Sequence, residues 1–246
     1  MKRLLVSLLA VATGAASLAF AASTAWAAEF SGNVTYATDY RFRGISQGDR
    51  SQAIQGGFDL ELENGFYVGT WASKVAAWSG GTIETDYYGG FGGEFSEGVA
   101  YDIGVLYYGY PEDDASPDLD YVEIYGSVSI EDFTIGAAFS PDYFAGTGDF
   151  WYLYGDYSYG LVENVSLDLH LGWNIFDGKS GGEAFGIGNA GDPDSSYIDY
   201  SVGLGTSGLG LDWGIALVGT NLSESECFGG SATCDTTVVV SVSKSL

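Results

Sequence analysis

Basic residues, histidine, cysteine, methionine and proline are all scarce in this 246-residue chain. Eight Lys and Arg stand against 33 Asp and Glu, with one His, two Cys, one Met and four Pro. A formal charge of −25 argues against nucleic acid as a partner, because phosphate binding needs the opposite sign. Two cysteines and one distant histidine are too few to build a structural zinc site without further ligands. Beyond the first thirty residues, no segment approaches the roughly 18 uninterrupted apolar residues that a spanning helix needs. No Ser/Pro-rich linker or abrupt change of composition marks a boundary, so residues 28–246 read as one domain.

The chain opens MKRLLVSLLAVATGAASLAFAASTAWAAEF. Lys2 and Arg3 precede an apolar stretch from Leu4 to Ala22, and Ala25-Trp26-Ala27 fits the small-x-small cleavage rule. The expectation is a signal peptide over 1–27, cleaved after Ala27 or Ala28. Its removal takes two of the eight basic residues and no carboxylate, leaving six against 33, a formal charge of −27. What the chain has in abundance is 38 Gly, 18 Tyr, 14 Phe and 6 Trp, the residues of alternating strands and tight turns.

A two-residue hydrophobic period separates half-buried strands from helices. In FSGNVTYATDYRF, Phe30, Val34, Tyr36, Tyr40 and Phe42 share one phase, and Asp39, Arg41 and Arg43 share the other, which reads as one strand of about a dozen residues. The alternation recurs: Leu60 and Leu62 oppose Asp59 and Glu61; Ile83 and Tyr87 oppose Glu84 and Asp86; Ile103 opposes Asp102; Ile124 opposes Glu123. Further on, Leu169 and Leu171 oppose Asp168 and His170, Ile198 opposes Asp199, and Trp213 opposes Asp212. Phe66–Val75 and Phe150–Tyr159 are aromatic on both phases. Twelve strands are expected, joined by short turns such as ENG at 63–65 and, alternately, by long polar segments near Gln47, 111–120, 141–149, 177–195 and 223–235. A water-soluble sandwich also alternates, but long strands in even number, short turns at one end and a leader favour an up-and-down transmembrane β-barrel. Its apolar phase would face outer-membrane lipid and its polar phase the lumen.

The stretches TDYRFRGISQ (38–47), GFYVGTWAS (65–73), IETDYYGGF (83–91) and VVVSVSKSL at the terminus resemble the TorF-type porins, a family of proteobacterial outer-membrane proteins. The resemblance covers essentially the whole mature chain. It implies an outer-membrane barrel with a pore and supplies no catalytic residues. Leu246 departs from the aromatic residue that often ends such barrels.

By phase, the expected pore-lining residues are Asp39, Arg41, Arg43, Asp59, Glu61, Glu84, Asp86, Asp102, Glu123, Asp156, Asp168, His170, Asp199 and Asp212. Charges on the lipid face would each cost about 2–4 kcal/mol near the midplane, which is why they collect on the other face. Arg41 and Arg43 amid so many carboxylates either set a transverse field in an open pore or pack a narrow barrel through ion pairs; the sequence leaves both open. His170 with Ser166 and Asp168 raises a hydrolase reading, but strand neighbours two apart are separated by about 7 Å, too far for a nucleophile–base hydrogen bond. The acidic run Glu112, Asp113, Asp114, Asp118 and Asp120 lacks EF-hand order and reads as a solvated loop. Cys227 and Cys234 are expected to form a disulfide. No cofactor is called for. The expected function is passive diffusion of small cationic or neutral polar solutes, with a plugged structural or receptor barrel as the alternative.

Overall fold

The computed structural model describes residues 28–76, 81–111, 118–177, 182, 185–189 and 195–246. The expected leader, 1–27, lies outside the described residues. Strand β1 is Glu29–Ala37, and two short strands follow, β2 Arg41–Phe42 and β3 Ile45–Ser46. Then come β4 Ala53–Glu61, β5 Phe66–Lys74, β6 Ile83–Ser96, β7 Val99–Gly109 and β8 Tyr121–Ile130. The chain continues through β9 Phe133–Ser140, β10 Phe150–Val162, β11 Val165–Phe176, β12 Ser196–Gly208, β13 Leu211–Thr220 and β14 Thr237–Ser245.

Among the described residues, twelve of these strands close into one antiparallel barrel in which each pairs with its sequence neighbour and β1 meets β14. Thr35 opposite Ser243 marks the seam, their hydroxyls 2.8 Å apart. Closure removes the unpaired strand edges that lipid would not tolerate. The short turns at one end place Glu131, Asn164 and Leu209 in the left-handed region with φ of 53, 63 and 60°. Large apolar side chains of the outward phase, such as Phe58, Ile103, Leu171 and Val202, stand exposed on the outer surface. That surface is the lipid face of a transmembrane barrel.

One expectation fails in a way that shapes everything inside. The run from Phe30 to Phe42 is not one strand: β1 stops at Ala37, and the chain turns inward. Arg41 and Phe42 pair with Ser46 and Ile45 in a separate miniature hairpin. Arg43 and Gly44 form its two-residue turn, both in the left-handed region at φ 47 and 80°. Two successive positive φ values are what a type I′ turn needs, and they match the twist of a tight hairpin.

Candidate functional site: an acidic lumen under an aromatic plug

The inward hairpin sits inside the barrel at the long-loop end. Arg41 and Arg43 are only 2% and 3% exposed, so neither borders open water. Arg43 makes a two-pronged ion pair with Glu123 of β8, Nη1 to Oε1 and Nη2 to Oε2 both at 2.8 Å. Its guanidinium lies 4.2 Å from the ring centre of Tyr152, 4.6 Å from Phe42 and 4.9 Å from Phe150. Tyr108 donates to the second Glu123 oxygen at 3.1 Å. A planar fork fits a carboxylate in two bonds and stacks on aromatic faces, which is why arginine rather than lysine suits this position.

Arg41 points the other way. Its Nε donates to Asp39 at 2.7 Å, and Nη1 donates to the carbonyls of Gly44, Thr233 and Asp235 at 3.0, 2.8 and 3.0 Å. The last two carbonyls belong to the long segment between β13 and β14, which the Cys227–Cys234 disulfide closes on itself with Cα atoms 6.0 Å apart. The disulfide expected from sequence is present, and it fixes the carbonyls that receive Arg41. Replacing both cysteines by serine should cost about 2–3 kcal/mol, from the loop-closure entropy of so short a ring. Thermal unfolding of the double variant against wild type measures this; a change below about 0.5 kcal/mol would contradict the bracing role.

Around the hairpin the inward positions are aromatic. Phe150, Tyr152, Phe176, Tyr197, Tyr108 and Tyr121 come from the wall, joined by Tyr143, Ile187 and Leu222 from the long connections. Tyr143 stacks on Phe150 at 4.0 Å and Tyr108 on Tyr121 at 4.3 Å. This explains why β5 and β10 are aromatic on both phases: Tyr67, Trp71, Tyr152 and Tyr154 point inward to fill the lumen, while Phe66, Trp151 and Tyr157 face outward.

The sequence-predicted lining residues therefore divide into two tiers. Glu84, Asp86, Glu123 and Asp199 are buried in the plug, with Asp39, Arg41 and Arg43 on the hairpin rather than on a barrel strand. Asp59, Glu61, Asp102, Asp156, Asp168 and Asp212 are half-buried, nearer the short-turn end. Glu84 accepts from the hydroxyls of Tyr40 and Tyr110 at 2.6 and 2.8 Å. Burial, then the charge of Glu84, holds the Tyr40 phenol well above its ordinary pKa, so it remains a donor. In the lower tier Tyr67 donates to Asp102 at 2.7 Å and Tyr88 donates to Asp59. Ser158 and Ser166 donate to Asp168 at 2.5 and 2.8 Å.

His170 links the tiers. Its Nδ1 is 2.6 Å from Asp156, and its Nε2 is 2.9 Å from Asp199 and 2.8 Å from the Tyr152 hydroxyl. Both ring nitrogens are thus engaged by carboxylates, and Ser166 is bonded to Asp168 instead of the ring. The tyrosines that build the plug were legible only as residues on the polar phase of a strand, as Tyr108, Tyr121 and Tyr152 are. Of the acidic run, Glu112, Asp113 and Asp114 lie outside the described residues; Asp120 accepts from the Tyr110 backbone N–H at 2.7 Å.

With the barrel and its interior in view, comparison with known proteins places the chain. A family model described as bacterial proteins of unknown function, Gcw_chp, matches residues 21–246. The chain belongs to the Gcw_chp family. That match carries no TorF-type label. No curated protein matches it in sequence. Among solved structures it is similar to the KdgM porin, with a TM-score of 0.55, 10% identity, and 88% of this chain and 99% of that one covered. A KdgM porin in complex with disordered oligogalacturonate gives 0.54 and 10% over the same shares. The NanC porin gives 0.52 and 8% over 87% and 98%. At such identities the shared property is the fold: this Gcw_chp chain has the closed barrel of outer-membrane porins.

Proposed function

We propose that this protein is an outer-membrane, porin-like channel for small cationic or neutral polar solutes, of the kind the TorF-type resemblance implies. The observation that carries the reading is the sign of the lower lumen. Asp59, Glu61, Asp102, Asp156, Asp168 and Asp212 are half-buried on inward positions, whereas among the described residues no Lys or Arg occupies an inward position of a barrel strand. Lys74 and Lys244 lie on the outward phase, and Arg50 is exposed in the segment that carries the hairpin. A low-dielectric passage lined by one sign of charge focuses its field and concentrates counter-ions, and rings of Asp and Glu select cations. The pore-lining role belongs to the lower tier; the upper tier and the two arginines serve closure.

The test is the reversal potential of bilayer-reconstituted protein across a potassium chloride gradient. It is made near 0.01 M, where the Debye length is about 30 Å and screening is weak. Cation selectivity is expected, and an anion-selective reversal potential would overturn the account of the lumen. The buried plug favours a second reading, a closed barrel with a structural or receptor role, and absence of conductance in any state would select it.

A further inference from the structure

The pocket that holds Arg43 has the chemistry of a ligand site. Glu123 offers both carboxylate oxygens, Tyr108 orients one of them, and the faces of Tyr152 and Phe150 cover the guanidinium at 4.2 and 4.9 Å. A carboxylate fork between aromatic faces suits a guanidinium group better than a compact ammonium. All four of these residues belong to the barrel wall. Only Phe42, among the rings close to the guanidinium, would leave with the hairpin.

The occupant is also an imperfect one. Arg43 sits in the left-handed region at φ 47°, which a residue with a side chain adopts only at a cost. Its Nε is buried without a hydrogen-bond partner. On β6, Asp86 lies opposite Tyr108 in the ladder and is buried with Oδ1 likewise unpartnered. The pocket thus satisfies two of the guanidinium's donors and leaves a donor and a neighbouring carboxylate oxygen unmatched.

We infer that this pocket is a binding site for guanidinium-bearing solutes, held in the resting protein by Arg43 as an internal substitute, so that such a solute competes with the hairpin and releases the plug. The inference rests on the channel reading and narrows its solute class. A tethered competitor acts as a high local concentration of arginine side chain, so the free ligand should bind weakly to wild type and more tightly once the tether is gone.

The probe is agmatine, a dication, with 1,4-diaminobutane as the control of equal charge and similar stem. Calorimetry on detergent-folded Arg43→Ala should show agmatine binding at least tenfold tighter than to wild type, with 1,4-diaminobutane much weaker. The Arg43→Ala/Glu123→Gln double variant should lose it. If Arg43→Ala binds agmatine no better than 1,4-diaminobutane, or no better than the double variant does, the inference is overturned. Hydrogen exchange on wild type keeps it testable should the variants not fold: agmatine, and not 1,4-diaminobutane, should speed exchange across residues 38–52, and equal exchange with both would refute it. Neither measurement needs ion flow. A barrel that binds agmatine and never conducts would sink the channel reading while leaving the pocket assigned.

Discussion

Glu123→Ala is expected to destabilise the plug by about 3–5 kcal/mol, because it strands the Arg43 charge in a pocket where no other carboxylate bonds to it. The loss exceeds the value of the pair itself, since most of it is the cost of a buried, unpaired cation. Two readouts should move together: thermal unfolding shifts down, and bilayer conductance rises as the hairpin leaves its seat. Arg43→Ala removes the other partner and should approach the same loss, since it leaves Glu123 buried with only the Tyr108 hydroxyl. A Glu123→Ala protein less than about 1 kcal/mol below wild type, with unchanged conductance, would mean that the arginine does not hold the closure.

Gly44→Ala should have the next largest effect, from geometry alone. A Cβ at this position would lie 2.6 Å from the Gly219 carbonyl oxygen and from Thr220 Cγ2, and 2.9 Å from Asp199 Cβ. The first of these is backbone in a hydrogen-bonded barrel strand and cannot swing aside. The φ of +80° adds a left-handed penalty of about 1–2 kcal/mol for a residue with a side chain. Together they should cost about 2–4 kcal/mol, within the range for named backbone and overpacking defects. Gly160→Ala is the control: nothing lies within 4 Å of its added carbon, and stability should change by less than about 0.5 kcal/mol. Equal behaviour of the two variants in thermal unfolding would remove the hairpin tip from its tight seat against β12 and β13.

The barrel was legible because lipid enforces a strict rule. A strand crossing a bilayer must send every second side chain to hydrocarbon, and Phe58, Leu60, Ile103 and Ile124 obey that phase with the carboxylates opposite. The disulfide was legible because the chain's two cysteines fall in one long segment, between β13 and β14. What alternation could not reveal was the break after Ala37, because Tyr40, Arg41, Phe42 and Arg43 continue the two-residue period on into a hairpin that is itself extended. The cue was local and unusual: an Arg-Gly pair in place of the Asn-Gly expected of a type I′ turn. The division of the carboxylates into buried and half-buried tiers was hidden for another reason. Phase tells which face a residue takes, but not how far along the lumen it lies or what descends from a loop to cover it.

The hairpin also imposes an order on assembly. Arg43 meets Glu123 across 80 positions of chain, whereas Arg41 meets the Thr233 carbonyl across 192 and Thr35 meets Ser243 across 208. Contacts so distant in sequence form late, since loop closure must precede any gain from them. The carbonyls that receive Arg41 exist as a rigid set only once Cys227 and Cys234 are joined and β14 has paired with β13. The N-terminal end of the chain therefore supplies the stopper, and the C-terminal end supplies the collar that fastens it. By that order the stopper meets Glu123 before the seam closes, and it is fastened only by the last segment to arrive.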